Sequence, residues 1–78
     1  MKAFILLKVE MGHLEDVSAA VRNMSGVISA DPTFGEYDVI VEVSVQTMRE
    51  QGVLVGRDIQ CTPGVQQTHT CVAFNGEM

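Results

Sequence analysis

The chain has 78 residues, 46% of them hydrophobic and 19% charged, and ten Asp and Glu outweigh five Lys and Arg to give a formal net charge of −5 at pH 7. This is enough core material for one domain and too apolar for intrinsic disorder. A domain this short buries only roughly 60% of the surface its unfolded chain exposes, so association with other subunits is a natural source of further stability. The cations Lys2, Lys8, Arg22, Arg49 and Arg57 are scattered, which argues against the basic patch that direct nucleic-acid binding uses. No apolar run reaches the ~18 residues of a membrane span, and Lys8 and Glu10 follow the short apolar start too closely for a secretory signal. A cytoplasmic protein, without membrane attachment, is the expectation.

In chain order, Ala3, Ile5, Leu7 and Val9 alternate with Phe4 and Leu6, so both sides of the first strand are apolar and both call for cover. Helical spacing follows from His13 to Met24 through Leu14, Val17, Val21 and Met24. Glu15 and Asp16 stand at the start, Arg22 at the end and Gly26 at the stop, an order that suits the helix dipole and a C-terminal glycine cap. Val27 to about Phe34 reads as a second strand, and Asp31-Pro32 points to a sheet edge or a bulge because proline donates no ladder hydrogen bond. Gly35-Glu36-Tyr37 is a turn, and Asp38 to Val43 is a third strand with Val39, Val41 and Val43 on one face and Asp38, Ile40 and Glu42 on the other. The short connection makes these two strands a hairpin.

Thr47-Met48-Arg49-Glu50 fits a capping box that opens a second helix with a stripe of Met48, Gly52, Val55 and Ile59. Gly52 and Gly56 cost helix stability and predict close helix packing, either on the sheet or on another subunit. Pro63-Gly64 ends the helix. Val65 to Phe74 is the last strand, and Asn75 to Met78 read as a frayed tail. The order strand, helix, strand, strand, helix, strand predicts an α+β fold of the ferredoxin-like βαββαβ type, a four-stranded antiparallel sheet with both helices on one face. Residues 1–78 then form a single domain. Phe4, Leu6 and Ile40 are left on the bare face, where exposure would forgo roughly 1.5 to 3 kcal/mol for each large side chain, so a second subunit's sheet is the expected cover.

Motifs for chemistry are sparse. His69 and Cys71 lie two apart on a strand and share a side, which offers two ligands for a soft metal, but Cys61 and His13 have no spacing that completes the set. Cys61 ends a helix and Cys71 lies roughly 20 Å along the last strand at strand rise, and free, buried cysteines are expected over a disulfide. Cys71 with His69 also lacks the supporting group that a cysteine nucleophile needs. Asp31, Glu36, Asp38 and Glu42 read first as solvated turn residues. Gly35, however, allows a close approach that exposes amides beside Tyr37 and Asp38, groups able to meet a small zwitterion. Thr68 and Thr70 add hydroxyls on one face of the last strand, where β-propensity alone also explains them. No phosphate loop, nucleotide fingerprint or cofactor motif occurs.

Gly35-Glu36-Tyr37-Asp38-Val39-Ile40-Val41, together with Pro63-Gly64-Val65 followed by Thr68 and Thr70, resembles the ligand-binding domain of the Lrp/AsnC transcription regulators, also called the RAM domain. The likeness runs from about Lys2 to Phe74. It implies a dimeric α+β barrel-like assembly of face-packed sheets, rings of dimers such as octamers, and an amino acid bound between subunits near the hairpin. Gly35, Tyr37 and Asp38 would then lie in the ligand-contacting loop, with Thr68 and Thr70 at the pocket wall. Regulators of the family usually carry an N-terminal helix-turn-helix domain, whereas this sequence begins at the first strand and resembles the stand-alone members. The expectation is an oligomeric sensor of an amino acid or related metabolite, without a cofactor or catalysis of its own, that modulates transcription through full-length relatives. The alternatives are an enzyme of the dimeric α+β barrel type, resting on His69 and Cys71 and on fold analogy, and a purely structural interaction module.

Overall fold

The computed structural model describes residues 2–73. Its elements are β1 (Lys2–Val9), α1 (Leu14–Arg22), β2 (Val27–Pro32), β3 (Val39–Ser44), α2 (Met48–Val53), a π-helical continuation of α2 (Leu54–Ile59) and β4 (Val65–Ala73). The strands form one antiparallel sheet in the order β2-β3-β1-β4, which is the predicted ferredoxin-like arrangement. Phe74 at the end of the predicted last strand and the predicted tail, Asn75 to Met78, lie outside the described residues.

Strand alternation determines the layers. Ala3, Ile5 and Leu7 of β1 and Val39, Val41 and Val43 of β3 face the helices and are fully buried, together with Val17 and Val21 of α1 and Ile59 beyond α2. Each of the Val, Leu and Ile side chains among them contributes roughly 1.5 to 3 kcal/mol through burial. Arg22 closes α1 by donating from Nε to the Ala30 carbonyl at 3.0 Å, which fastens the helix to β2. Gly64 holds the start of β4 against α1. Its φ is +97°, and a Cβ there would stand 2.8 Å from the Cβ of His13 and 2.9 Å from Cγ2 of Val17, so both the backbone geometry and the space require glycine.

β2 is an edge strand, one of the two readings that Asp31-Pro32 allowed, and pairs Pro32 with Val39; the register shift in its pairing lies between Val27 and Ser29, away from the proline. In the second helix the buried positions are Gln51, Leu54, Val55 and Ile59, while Met48 is 57% exposed. The buried face is therefore centred on Gln51, one residue before the Gly52 of the expected stripe. The helix also widens after Val53, where Gln60 donates to the Val55 carbonyl in an i to i−5 bond, so the 3.6-residue period no longer applies. Among the described residues Gly52 and Gly56 do not pack on the sheet, since a Cβ at either would meet no atom within 4 Å beyond its chain neighbours and its own helix backbone; packing on another subunit is the reading that is left. The capping box forms in modified geometry. Thr47 Oγ1 accepts from the Glu50 amide at 3.1 Å, and Glu50 Oε2 reaches past Thr47 to accept from the Gln46 amide at 2.9 Å.

Candidate ligand-binding site

The β2–β3 hairpin is closed by its own polar groups. Thr33 donates from its amide to the Asp38 carbonyl at 2.9 Å and from Oγ1 to the Tyr37 carbonyl at 2.8 Å. This pairing leaves Phe34, Gly35 and Glu36 exposed at the tip. Gly35 has a φ of +144° and open space around its Cβ position, so its requirement is conformational. Asp38 joins the loop to the sheet: its amide donates to the Leu7 carbonyl at 2.8 Å, and its Oδ2 accepts from the Val9 amide at 2.8 Å. Its Oδ1 carries no hydrogen bond among the described residues. One side of the carboxylate is structural and the other is available.

Tyr37 lies over the sheet face that the helices do not cover. Its ring centroid is 6.1 Å from that of His69 at a 33° tilt, and Lys8 Nζ lies 5.7 Å from the same ring. The β1 register places Leu6 beside Ile40 on one flank and His69 on the other, with Phe4 beside Glu42 and Cys71. Phe4 and Leu6 are half-buried and Ile40 is 37% exposed, so the bare apolar face expected from alternation is present. A Lys2–Glu42 ion pair at 3.8 Å borders it and is largely solvated on the lysine side.

Thr68 and Thr70 do not join this group within one protomer. They pair with Leu7 and Ile5, whose side chains are buried under the helices, so their hydroxyls lie on the opposite side of the sheet from Tyr37. Thr68 Oγ1 accepts from Gln60 Nε2 at 2.9 Å and borders a depression of about 330 Å³ between Gln60 and Val65–Thr68. His69 and Cys71 share the open face as the spacing predicts, but neither cysteine is buried as expected: Cys71 is exposed on the edge strand β4 and Cys61 in the turn after the second helix. Among the described residues no three His, Cys, Asp or Glu gather at a point able to hold a metal ion. A larger cleft of about 810 Å³ at the other end of the sheet, between Ser25–Gly26, Ser44–Thr47 and α2, was not foreseen from the sequence. It lies far from the hairpin and opens to solvent, and two of its polar groups, Thr47 and Glu50, are already used in capping.

The family model of the Lrp/AsnC ligand-binding domain matches residues 2–76. The chain belongs to the Lrp/AsnC ligand-binding domain family. This Lrp/AsnC domain is 31% identical over 74 residues to the HTH-type transcriptional regulator FL11 of Pyrococcus horikoshii, a match that covers 95% of the chain and 48% of the regulator. It thus spans about half the length of the curated relatives it matches. Among solved structures, FFRP-DM1 is 32% identical with a TM-score of 0.89, covering 94% of this chain and 97% of that one. The transcriptional regulator NMB0573 of Neisseria meningitidis, solved with L-Met, shares the fold at a TM-score of 0.87 and 23% identity, covering 99% of this chain and 51% of that one. The curated relatives are HTH-type transcriptional regulators. No helix among the described residues is long and apolar enough to cross a membrane.

Proposed function

We propose that this domain assembles through its open sheet face and binds an amino acid or related metabolite at subunit interfaces, and that ligand occupancy is read out through regulatory partners such as full-length relatives. The observation that carries the reading is the hairpin loop. Gly35, Tyr37 and Asp38 present backbone amides, an aromatic surface and a half-used carboxylate at the rim of an uncovered apolar face. A zwitterion suits these groups, with Asp38 Oδ1 taking the ammonium, the amides near Gly35 taking the carboxylate, and Tyr37 covering the apolar part. Thr68 and Thr70 lie on the other side of the sheet, so they join the site only if a second subunit brings its β4 to the loop of the first. Phe4, Leu6 and Ile40 are assigned to the dimer contact, and rings of dimers such as octamers are the further assembly.

The regulator solved with L-Met makes methionine the first ligand to test here. Isothermal titration against the proteinogenic amino acids is expected to give saturable heat for at least one. The Asp38→Ala variant should lose at least about tenfold in affinity, the value of one charge-assisted hydrogen bond. Absence of binding to all of them, or binding indifferent to Asp38, would overturn the assignment.

A further inference from the structure

We infer that the cleft beyond the C-terminal end of β3 is a second small-molecule site, one that takes an amino acid whose side chain ends in a cation. The inference stands apart from the hairpin loop and from any pairing of subunits, because every group it uses belongs to one protomer. The cleft has a volume of about 810 Å³ and is bounded by Ser25–Gly26, Ser44–Thr47 and the second helix, a size within the usual range of ligand pockets. Its floor is apolar. Val45 and Leu54 reach it from the core, and the half-exposed Val53 stands beside them. Gly26 adds no side chain over this floor, where a Cβ would touch Leu54 Cδ2 at 3.6 Å and Val45 Cγ1 at 3.7 Å.

Three charged side chains line the cleft, Arg49, Glu50 and Asp58, and none is fully used within the chain. Arg49 takes part in no ion pair or side-chain hydrogen bond among the described residues. Glu50 uses Oε2 to accept from the Gln46 amide at 2.9 Å, and Asp58 uses Oδ1 to accept from Arg57 Nε at 3.1 Å. The second oxygen of each carboxylate has no hydrogen bond among the described residues. The lining thus offers one guanidinium and two half-used carboxylates around an apolar floor, and its remaining polar side chains are uncharged.

The order of these groups along the helix selects the ligand. Arg49 and Glu50 are neighbours and together match an α-amino acid head group, the guanidinium forking onto its carboxylate and the Glu50 carboxylate taking its ammonium. Glu50, Leu54 and Asp58 recur every four residues and share the cleft side of the helix, so an apolar residue separates the two acids. Asp58 lies eight residues beyond Glu50, roughly 12 Å at helical rise. The reach of both acidic side chains and a stem of roughly four methylenes together cover that span. The stem then lies on Leu54 and Val53, and its terminal cation meets Asp58. An aliphatic side chain would leave Asp58 without a partner, and an acidic one would set like charges against each other.

Isothermal titration of L-lysine into Asp38→Ala, the variant that disables the hairpin site, tests this. Saturable heat is expected to remain there. L-norleucine, which keeps the stem and lacks the terminal ammonium, should bind at least about tenfold more weakly, the value of one charge-assisted hydrogen bond. Adding Arg49→Gln or Asp58→Asn to Asp38→Ala should weaken L-lysine by a similar factor, with circular dichroism confirming that each variant folds. L-lysine heat that is absent from Asp38→Ala up to about 10 mM, L-norleucine that binds as tightly, or binding indifferent to Arg49 and Asp58 would overturn the inference. Heat that is present in wild type and lost in Asp38→Ala would do so while supporting the hairpin site. Heat kept in Asp38→Ala and lost on adding Arg49→Gln would support the cleft even if no amino acid binds at the hairpin.

Discussion

The two faces of the sheet are made by the same strands and have opposite characters. On the helix side, Ala3, Ile5, Leu7, Val39, Val41 and Val43 are all fully buried by the chain's own helices. On the other side, Phe4, Leu6 and Ile40 keep partial exposure and share the surface with Lys8, Tyr37, His69 and Cys71. The first face is complete within one protomer and holds the fold together. The second mixes apolar side chains with titratable ones and adjoins the loop with the half-used Asp38 carboxylate, so association and ligand recognition are expected there.

The difference can be broken from the covered side first. Ile5→Ala removes a fully buried side chain and should cost about 2 to 5 kcal/mol of unfolding free energy in urea titrations, because the cavity cannot collapse against a paired strand. That loss should not depend on protein concentration, since it lies within the protomer. Next in size, Gly64→Ala places a methyl 2.8 Å from the Cβ of His13 at a positive φ and should cost about 2 to 3 kcal/mol by the same measurement. A cost below about 0.5 kcal/mol in either variant would mean that the covered face is less tightly built than described. The smallest effect on protomer stability is expected on the open side. Leu6→Glu should change it by less than about 1 kcal/mol, because a partly exposed position lets a carboxylate remain hydrated.

Much of this architecture was legible in the sequence. Alternation in β1 and β3 assigned each residue to its face, and the dipole-matched ends of α1 and the glycines at 26 and 64 fixed its neighbours. The second helix was less legible, because hydrophobic periodicity cannot register a buried glutamine such as Gln51, nor a widening to π geometry that changes the period itself. The bulge near Ile28 was also unreadable, since nothing in Val27–Ser29 distinguishes it from a regular strand. At the candidate site, the chemistry of the Gly35–Asp38 loop is what proposes it, whereas the anchoring of Asp38 to the Val9 amide is a contact across 29 residues of sequence that only the fold reveals. Thr68 and Thr70 were legible as a pair on one face, but which face depends on the β1–β4 register, and that register places them opposite Tyr37.

The central claim is that the open face is covered by a second copy of the chain and that the ligand site depends on that cover. Sedimentation equilibrium of wild type and Leu6→Glu, at concentrations of about 1 to 50 μM that span a typical specific association, addresses it most directly. Wild type should sediment as a dimer or a multiple of dimers, and Leu6→Glu as a folded monomer. A monomeric wild type, or a Leu6→Glu variant that assembles as wild type does, would contradict the account.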